Sequence, residues 1–198
     1  MRYLSIDLET TGLDPEQHEV LELAAIIDDL KDLRPTDSLP RFQAYVVQPS
    51  YRGDPFALSM NAEILRKIAM FRAGKIKNTE NNFTELFLDP SHLIFALRDW
   101  LRTHNFDITQ KITVAGKNVA GFDLQFIKRL PEADTLLIHH RVIDPAMFYL
   151  REEDVVVPDT KECLVRADLM GEVQHRALDD ALDVIRLIRT HYEPQYKE

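Results

Sequence analysis

Cysteine and long apolar segments are scarce in this sequence. Cys163 is the single cysteine among 198 residues, so no disulfide can form within the chain, and a reducing compartment is the simpler expectation. No apolar run approaches the roughly 20 residues that a membrane helix needs, and no basic and apolar leader precedes the first predicted strand. The sequence therefore predicts a cytoplasmic protein without a membrane segment.

Basic residues are also in short supply. The chain has 24 Lys and Arg residues against 33 Asp and Glu residues, which gives a formal net charge of -9. This balance argues against a protein that holds nucleic acid by a broad basic surface, because phosphate contacts need Lys and Arg in quantity. It does not exclude a nucleic-acid enzyme whose acidic groups are offset by bound metal cations.

The sequence has no internal repeat, low-complexity segment or linker. Its 45% apolar and 29% charged residues are typical of a globular protein. Because this length is sufficient for one substantial core, we expect a single domain over residues 1–198.

Hydrophobic periodicity predicts an α/β protein. Three strands come first, helices then alternate with short strands, and a long amphipathic helix closes the chain. We expect a mixed five-stranded sheet, with a three-strand antiparallel meander plus parallel strands, covered by helices. The predicted strands lie at residues 4–8, 19–30, 41–49, 111–116 and 139–144, and the predicted helices at 59–71, 89–101, 122–130 and 175–192.

The first predicted strand, SIDLETTGL, carries two carboxylates on one face. Leu4, Ile6 and Leu8 alternate with Asp7 and Glu9, so the strand has an apolar face and an acidic face. The two carboxylates lie roughly 7 Å apart along the backbone. Two like charges so close together at the end of a strand suggest a shared chemical role.

Two further acidic residues are predicted to face inward from helices. Asp123 opens the helix FDLQFIKRL on its apolar side, where the helix dipole favours a negative charge. In the last helix, a rotation of roughly 100° per residue places Asp180 at the margin of the apolar stripe. The same geometry predicts that Asp179 and Asp183 are solvated.

Such a group of carboxylates favours divalent metal binding. Converging carboxylates repel one another unless protons or cations intervene, and hard cations such as Mg²⁺ and Mn²⁺ prefer oxygen ligands. Two such ions roughly 3.5 to 4 Å apart are the usual arrangement for displacement at phosphorus. His175, five residues before Asp180, could serve as a general base.

Three segments of the chain together resemble the motifs of the DEDDh branch of the DnaQ-like exonucleases. This branch includes proofreading exonuclease subunits, ribonuclease T and oligoribonuclease. The segments are DLETTGL at 7–13, NVAGFD at 118–123 and HRALDD at 175–180, in the order found in the family. The resemblance implies a ribonuclease H-like fold and the release of nucleoside 5′-monophosphates from nucleic-acid 3′ ends.

The resemblance also implies a role for each motif residue. Asp7 would bridge two divalent cations, Mg²⁺ or Mn²⁺, and Glu9 would bind one of them near the terminal 3′-hydroxyl. Asp123 and Asp180 would complete the metal shells. His175 would deprotonate the attacking water.

Residues beside the motifs would hold the single-stranded 3′ end. The resemblance implies that the Thr-Thr-Gly turn binds the terminal nucleotide and that the next leucine packs against its base. Phe122 belongs to the second motif, and Asn118 would support the site without reacting. The predicted substrate-binding residues are Thr10, Thr11, Gly12, Leu13, Met60, Asn61, Asn118 and Phe122.

Several alternatives stay open at this point. The same fold could serve as a catalytically silent nucleic-acid-binding or scaffold module, although all five motif residues are present. A phosphatase with an aspartyl nucleophile fits poorly, because Glu9 and His175 have no place in it. The sequence does not distinguish DNA from RNA, substrate length, a homodimer from a monomer, or a polymerase partner from independent action, and residues 51–82 match no motif.

Overall fold

The sheet has five strands, as the sequence predicts. The computed structural model describes residues 1–79, 83–169 and 176–192. The spatial order of the strands is β4-β3-β2-β1-β5. The strands are β1 (Arg2–Thr10), β2 (Val20–Asp29), β3 (Arg41–Val46), β4 (Leu86–Leu88) and β5 (Val114–Ala115).

The strand directions confirm the mixed sheet. β1 pairs with β2, and β2 with β3, in antiparallel directions. β5 pairs with β1, and β4 with β3, in parallel directions. The antiparallel meander therefore forms the centre of the sheet, with one short parallel strand at each edge.

One predicted strand is wrong. Residues 139–144 form no strand, and this part of the chain contributes only isolated bridges, from Ile138 to Ile112 and from Ile143 to Ala115. The strand at the other edge is β4, which the sequence analysis missed because three residues are too few to show periodicity. His139 and His140 lie in this segment, and their rings stack with centroids 4.5 Å apart, an arrangement that successive residues of a regular strand do not allow.

The helices begin where the sequence offers caps. Asp54 and Asp89 accept hydrogen bonds from the backbone N–H groups of Phe56 and Ser91, and a proline occupies the first turn in both cases. Within the described residues no helix is long and apolar enough to cross a membrane. The helices are α1 (Pro55–Met60), α2 (Ala62–Arg72), α3 (Pro90–Thr103), α4 (Asp123–Ile127), α5 (Thr160–Arg166) and α6 (Ala177–Tyr192).

The predicted helix at 59–71 is divided in two by Asn61. Its side-chain Nδ2 donates to the carbonyl oxygen of Thr10 at 3.1 Å. Asn61 is 6% exposed, so this hydrogen bond is shielded from water. The break between α1 and α2 is therefore tied directly to the end of β1.

The two faces of β1 are buried against different partners. Leu4, Ile6 and Leu8 belong to the main hydrophobic core, together with Leu97 and Trp100 of α3. The opposite face of the sheet is covered by α6, whose apolar residues pack on Tyr3 and Ile26. The acidic face of β1 is thus the face that α6 crosses.

Two polar contacts fix α6 on the sheet. Near its beginning, the Ser5 hydroxyl donates to the carbonyl oxygen of Ala181 at 2.7 Å. Near its end, Arg189 Nη2 donates to Asp28 Oδ1 at 2.5 Å, and the Tyr3 hydroxyl donates to Asp28 Oδ2 at 2.6 Å. Burial raises the pKa of Tyr3 well above its ordinary value, so the phenol remains a donor to Asp28.

The Asp28–Arg189 pair is expected to contribute strongly to stability. Replacing Arg189 with alanine leaves the fully buried Asp28 carboxylate without its cation, so the free energy of unfolding should fall by about 3–5 kcal/mol. Urea denaturation followed by circular dichroism measures this change. The matched control is Arg34→Ala, which breaks an exposed pair with Asp32 and should change stability little. Similar losses in both variants would contradict the importance of the buried pair.

Candidate active site

Three of the predicted metal ligands meet above β1. Asp7 and Glu9 project from the same face of the strand, and Asp180 faces them from the first turn of α6. Each of the three carboxylates offers an oxygen within 4.8 Å of the others. The contact between Ser5 and Ala181 explains this meeting, because Ser5 lies two residues before Asp7 and Ala181 directly follows Asp180.

Asp123 lies outside this group of three but lines the same cleft, which has a volume of about 390 Å³ and also includes Asp7 and Asp180. Its Oδ1 accepts a hydrogen bond from the backbone N–H of Leu8 at 3.0 Å. The side chain is 3% exposed. The second motif is therefore attached directly to the strand that carries the first.

Asn118 shapes the turn that presents Asp123. Its backbone has a φ of +49°, in the left-handed region that asparagine tolerates better than most residues. Its carbonyl oxygen accepts from the N–H groups of Gly121 and Phe122, and its own N–H donates to Asp144 Oδ2 at 2.9 Å. Asn118 and Asp144 thus support the turn from outside the cleft.

Burial and the repulsion of neighbouring carboxylates raise the pKa values of Asp7, Asp123 and Asp180. Burial is the main cause for Asp180 and Asp123, and both pKa values rise to about 7. The pKa of Asp7 lies well above its ordinary value because the side chain is buried and because Asp123, Asp180 and Glu9 are close. The cluster therefore favours either bound protons or bound cations.

Glu22 is an additional buried acid that the motif analysis missed. It is the cross-strand neighbour of Glu9, is 2% exposed, and accepts a hydrogen bond from Gln43 Nε2 at 2.6 Å. Burial raises its pKa to about 7. A single glutamate inside the apolar run VLELAAII was the sequence signal that could have revealed it.

The prediction for Asp183 is wrong, because this residue is buried and not solvated. Its side chain is 7% exposed, and Arg186 Nη1 donates to its Oδ1 at 2.9 Å. A rotation of about 100° per residue predicts a single buried stripe on α6. In the structure α6 packs on the sheet and, through Leu187, also on residues 145–148 and α5.

His175 lies outside the described residues, so its predicted role as a general base stays a prediction. Arg176, the next residue, is exposed at the beginning of α6, and its guanidinium lies 3.4 Å from the carboxylate of Glu63 on α2. Asp179, predicted to be solvated, is half-buried.

A second cavity, of about 480 Å³, opens beside Glu9. Leu13 and Phe56 are 82% and 73% exposed at its rim, so most of the surface of these two large apolar side chains faces solvent. Six of the eight predicted substrate-binding residues line this cavity, namely Thr10, Gly12, Leu13, Met60, Asn61 and Phe122.

Thr11 and Asn118 do not line this cavity. Thr11 is fully buried, its hydroxyl donates to the carbonyl oxygen of Arg52 at 2.6 Å, and the same oxygen accepts from the N–H of Glu19 at 2.9 Å. Thr11 therefore ties the turn after β1 to two neighbouring segments.

Comparison with known proteins agrees with this geometry. Residues 4–58 match the family model described as Exonuclease, a range that includes Asp7, Glu9 and the Thr-Thr-Gly turn. No curated protein sequence matches the chain. The predicted resemblance to the DnaQ-like exonucleases is confirmed by this match together with the structural similarities that follow.

Several solved nuclease structures share the fold. Cell-death related nuclease 4 (CRN-4) aligns with a TM-score of 0.63 at 14% identity. Exonuclease I of E. coli, in complex with a dA16 oligonucleotide, aligns with a TM-score of 0.60 at 17% identity. The Pan2 UCH-Exo module of Saccharomyces cerevisiae, in complex with AAGGA RNA, aligns with a TM-score of 0.59 at 14% identity.

Each alignment covers 98% of this chain, but only 64%, 41% and 29%, respectively, of the matched chains. The chain thus spans between about a third and two thirds of the length of these proteins. The α/β fold is ribonuclease H-like, as the motif resemblance implied.

The raised pKa values of Asp123 and Asp180 predict an unusual pH dependence of stability. Because Asp123 and Asp180 bind protons more tightly in the folded protein than in the unfolded chain, they destabilise the fold as pH rises from about 4 to about 7. In the presence of a chelator, the melting temperature should therefore fall, on the order of 5 °C between pH 5 and pH 8. Thermal unfolding followed by circular dichroism measures this fall.

The matched variants are Asp180→Asn, which should reduce the fall, and Asp32→Asn at an exposed site, which should preserve it. Mg²⁺ or Mn²⁺ should raise the melting temperature more at pH 8 than at pH 5, because cations compete with protons for the cluster. A fall of the same size in Asp180→Asn would contradict this explanation.

Proposed function

We propose that this chain acts as a single exonuclease domain of the DEDDh type, which hydrolyses phosphodiester bonds at the 3′ ends of single-stranded DNA or RNA and releases nucleoside 5′-monophosphates. The observation that carries the proposal is the position of the acidic cluster of Asp7, Glu9 and Asp180 beside the cavity lined by Leu13 and Phe122. A terminal base in the cavity would place its 5′-phosphate near the acids.

The residues fit a pair of divalent cations. The available donors are carboxylate oxygens of Asp7, Glu9, Asp123 and Asp180, which is the donor type that Mg²⁺ and Mn²⁺ prefer. The pKa values of Asp7, Asp123 and Asp180 are raised, mainly because burial disfavours the charged carboxylates, and bound cations would offset this cost. When bound, two such ions supply the positive charge that stabilises displacement at phosphorus.

Three further side chains have distinct tasks in this proposal. His175 takes a proton from the attacking water as the water oxygen bonds to phosphorus and the bond to the 3′-oxygen of the preceding nucleotide breaks. That 3′-oxygen takes up a proton from solvent and becomes the new terminal hydroxyl. Lys117 and Lys161 line the same cleft as Asp7 and Asp180, so their ammonium groups can contact the phosphates. These two lysines supply local positive charge that the net charge of -9 conceals.

The proposal draws further support from proteins with the same fold. The E. coli and Saccharomyces cerevisiae structures hold a DNA and an RNA oligonucleotide, respectively. Single-stranded nucleic acid of either sugar type is therefore the substrate class to test first.

Loss of one clustered acid should abolish nucleotide release. Asp180→Asn keeps the size of the side chain but removes a charge from the cluster, so activity with Mg²⁺ or Mn²⁺ should fall at least 100-fold, on the order expected for a lost catalytic electrostatic interaction. A 5′-labelled oligonucleotide, followed by gel electrophoresis, should show stepwise shortening with the wild type and none with the variant or with a chelator.

The matched control is Asp179→Asn, which alters the neighbouring acid outside the cluster and should retain activity. A 3′-blocked oligonucleotide should resist degradation by the wild type. Binding without shortening in the wild type would favour the alternative of a catalytically silent nucleic-acid-binding module. Shortening from the 5′ end would contradict the proposed direction.

Loss of His175 should lower the rate of hydrolysis much more than it weakens substrate binding. His175→Ala should lower kcat by about 10² to 10⁴, the usual contribution of a general base, while leaving KM within a few-fold of the wild type. Steady-state kinetics over pH 6 to 9 measure both constants, and the variant should lose the acidic limb of the kcat profile. Unchanged kcat would exclude His175 as the base.

A further inference from the structure

His18 lies beside the cavity in a fixed orientation. Its Nδ1 accepts a hydrogen bond from the backbone N–H of Asp14 at 3.0 Å. The imidazole also packs directly on Gly12, where a Cβ atom would lie 2.6 Å from Cε1 and from Nδ1 of the ring. The turn after β1 therefore holds the ring from two sides, and any larger residue than glycine at position 12 would displace it.

The hydrogen bond from Asp14 determines where the imidazole carries its proton. A ring nitrogen that accepts a hydrogen bond is unprotonated, so the proton of the neutral ring is on Nε2. Within the described parts of the chain, no group accepts a hydrogen bond from this Nε2–H. His18 is half-buried and lines the cavity, so it offers an unused donor there.

The other polar side chains of the cavity do not duplicate this donor. The Thr10 hydroxyl donates to the carbonyl oxygen of Gly12. The Asn61 amide donates one of its two N–H groups to the carbonyl oxygen of Thr10, and at 6% exposure it offers a ligand little access to the other. Asp14 and Asp54, which also line the cavity, carry carboxylates, which only accept when ionised. An acceptor on a ligand would therefore find its partner at His18.

We propose that His18 Nε2–H donates a hydrogen bond to the base of the 3′-terminal nucleotide, and this inference rests on the proposed function. Every natural base has at least one acceptor on its edges, such as N3 of adenine or O2 of thymine. A single donor can therefore serve all four bases, while Leu13 and Phe122 supply apolar contact to the ring. The site distinguishes a base that accepts hydrogen bonds from one that does not.

Two substitutions separate this role from the structural role of the ring. In His18→Asn the amide oxygen can replace Nδ1 as acceptor for Asp14, but nothing replaces Nε2. In His18→Gln the longer side chain can bring an amide N–H to the position of Nε2. We expect both variants to fold, and thermal unfolding checks this.

The test uses oligonucleotides that end in thymidine or in its difluorotoluene analogue, which has the same shape but accepts hydrogen bonds poorly. The wild type should have kcat/KM about fivefold lower on the analogue, the ratio expected for one neutral hydrogen bond. His18→Asn should reduce this ratio to about 1 by losing activity on thymidine ends. His18→Gln should retain most of the ratio.

Any of three results would overturn the inference. The wild type could have equal kcat/KM on thymidine and difluorotoluene ends, His18→Asn could keep the wild-type ratio of the two values, or a folded His18→Gln could lose that ratio. Calorimetric binding of the two nucleoside 5′-monophosphates in the presence of Mg²⁺ provides the same comparison without turnover. If the wild type degrades no oligonucleotide, the proposed exonuclease activity fails, and the binding ratio still decides the role of His18.

Discussion

The placement of α6 across β1 is the constraint on which the rest of the structure depends. The hydroxyl of Ser5 and the carbonyl of Ala181 join residues that are 176 positions apart, and the buried pair of Asp28 and Arg189 prevents the helix from sliding along the sheet. One turn of slippage would move a helical residue by about 5.4 Å, more than the spacing within the acidic cluster. The cluster thus exists only in this helix register.

This arrangement holds several carboxylates close together on β1 and α6, where their negative charges are unfavourable. The acids repel one another and lose hydration, and both effects oppose folding. The apolar face of β1 and the α3 side of the core provide stability that does not depend on the state of the cluster. The fold can therefore tolerate the site without cations, and cations or protons can bind to groups that are already in position.

Much of this architecture follows from local patterns. The alternation of Leu4, Ile6 and Leu8 with the two acids was enough to predict β1 and its two faces. The helix predicted at 89–101 begins where Asp89 caps α3 and Pro90 opens it. The sequence could not reveal features that depend on distant partners. β4 owes its strand conformation to β3, Asp183 is buried because α6 is covered on a second side, and Glu22 was hidden in an apolar run. Residues 51–82 carry no motif, so the sequence predicted Asn61 as a substrate-binding residue but not the hydrogen bond that joins it to Thr10.

That last contact has a consequence for the length of the product. Asn61 connects the helical wall of the apolar cavity to the strand that carries Asp7 and Glu9, so the cavity and the acidic cluster cannot move apart independently. In the proposed exonuclease, the distance from a seated base to the bond that is cut is then a fixed dimension of the protein. In that proposal, the hydrogen bond of Asn61 would help to keep this distance constant, so that each cut removes one nucleotide.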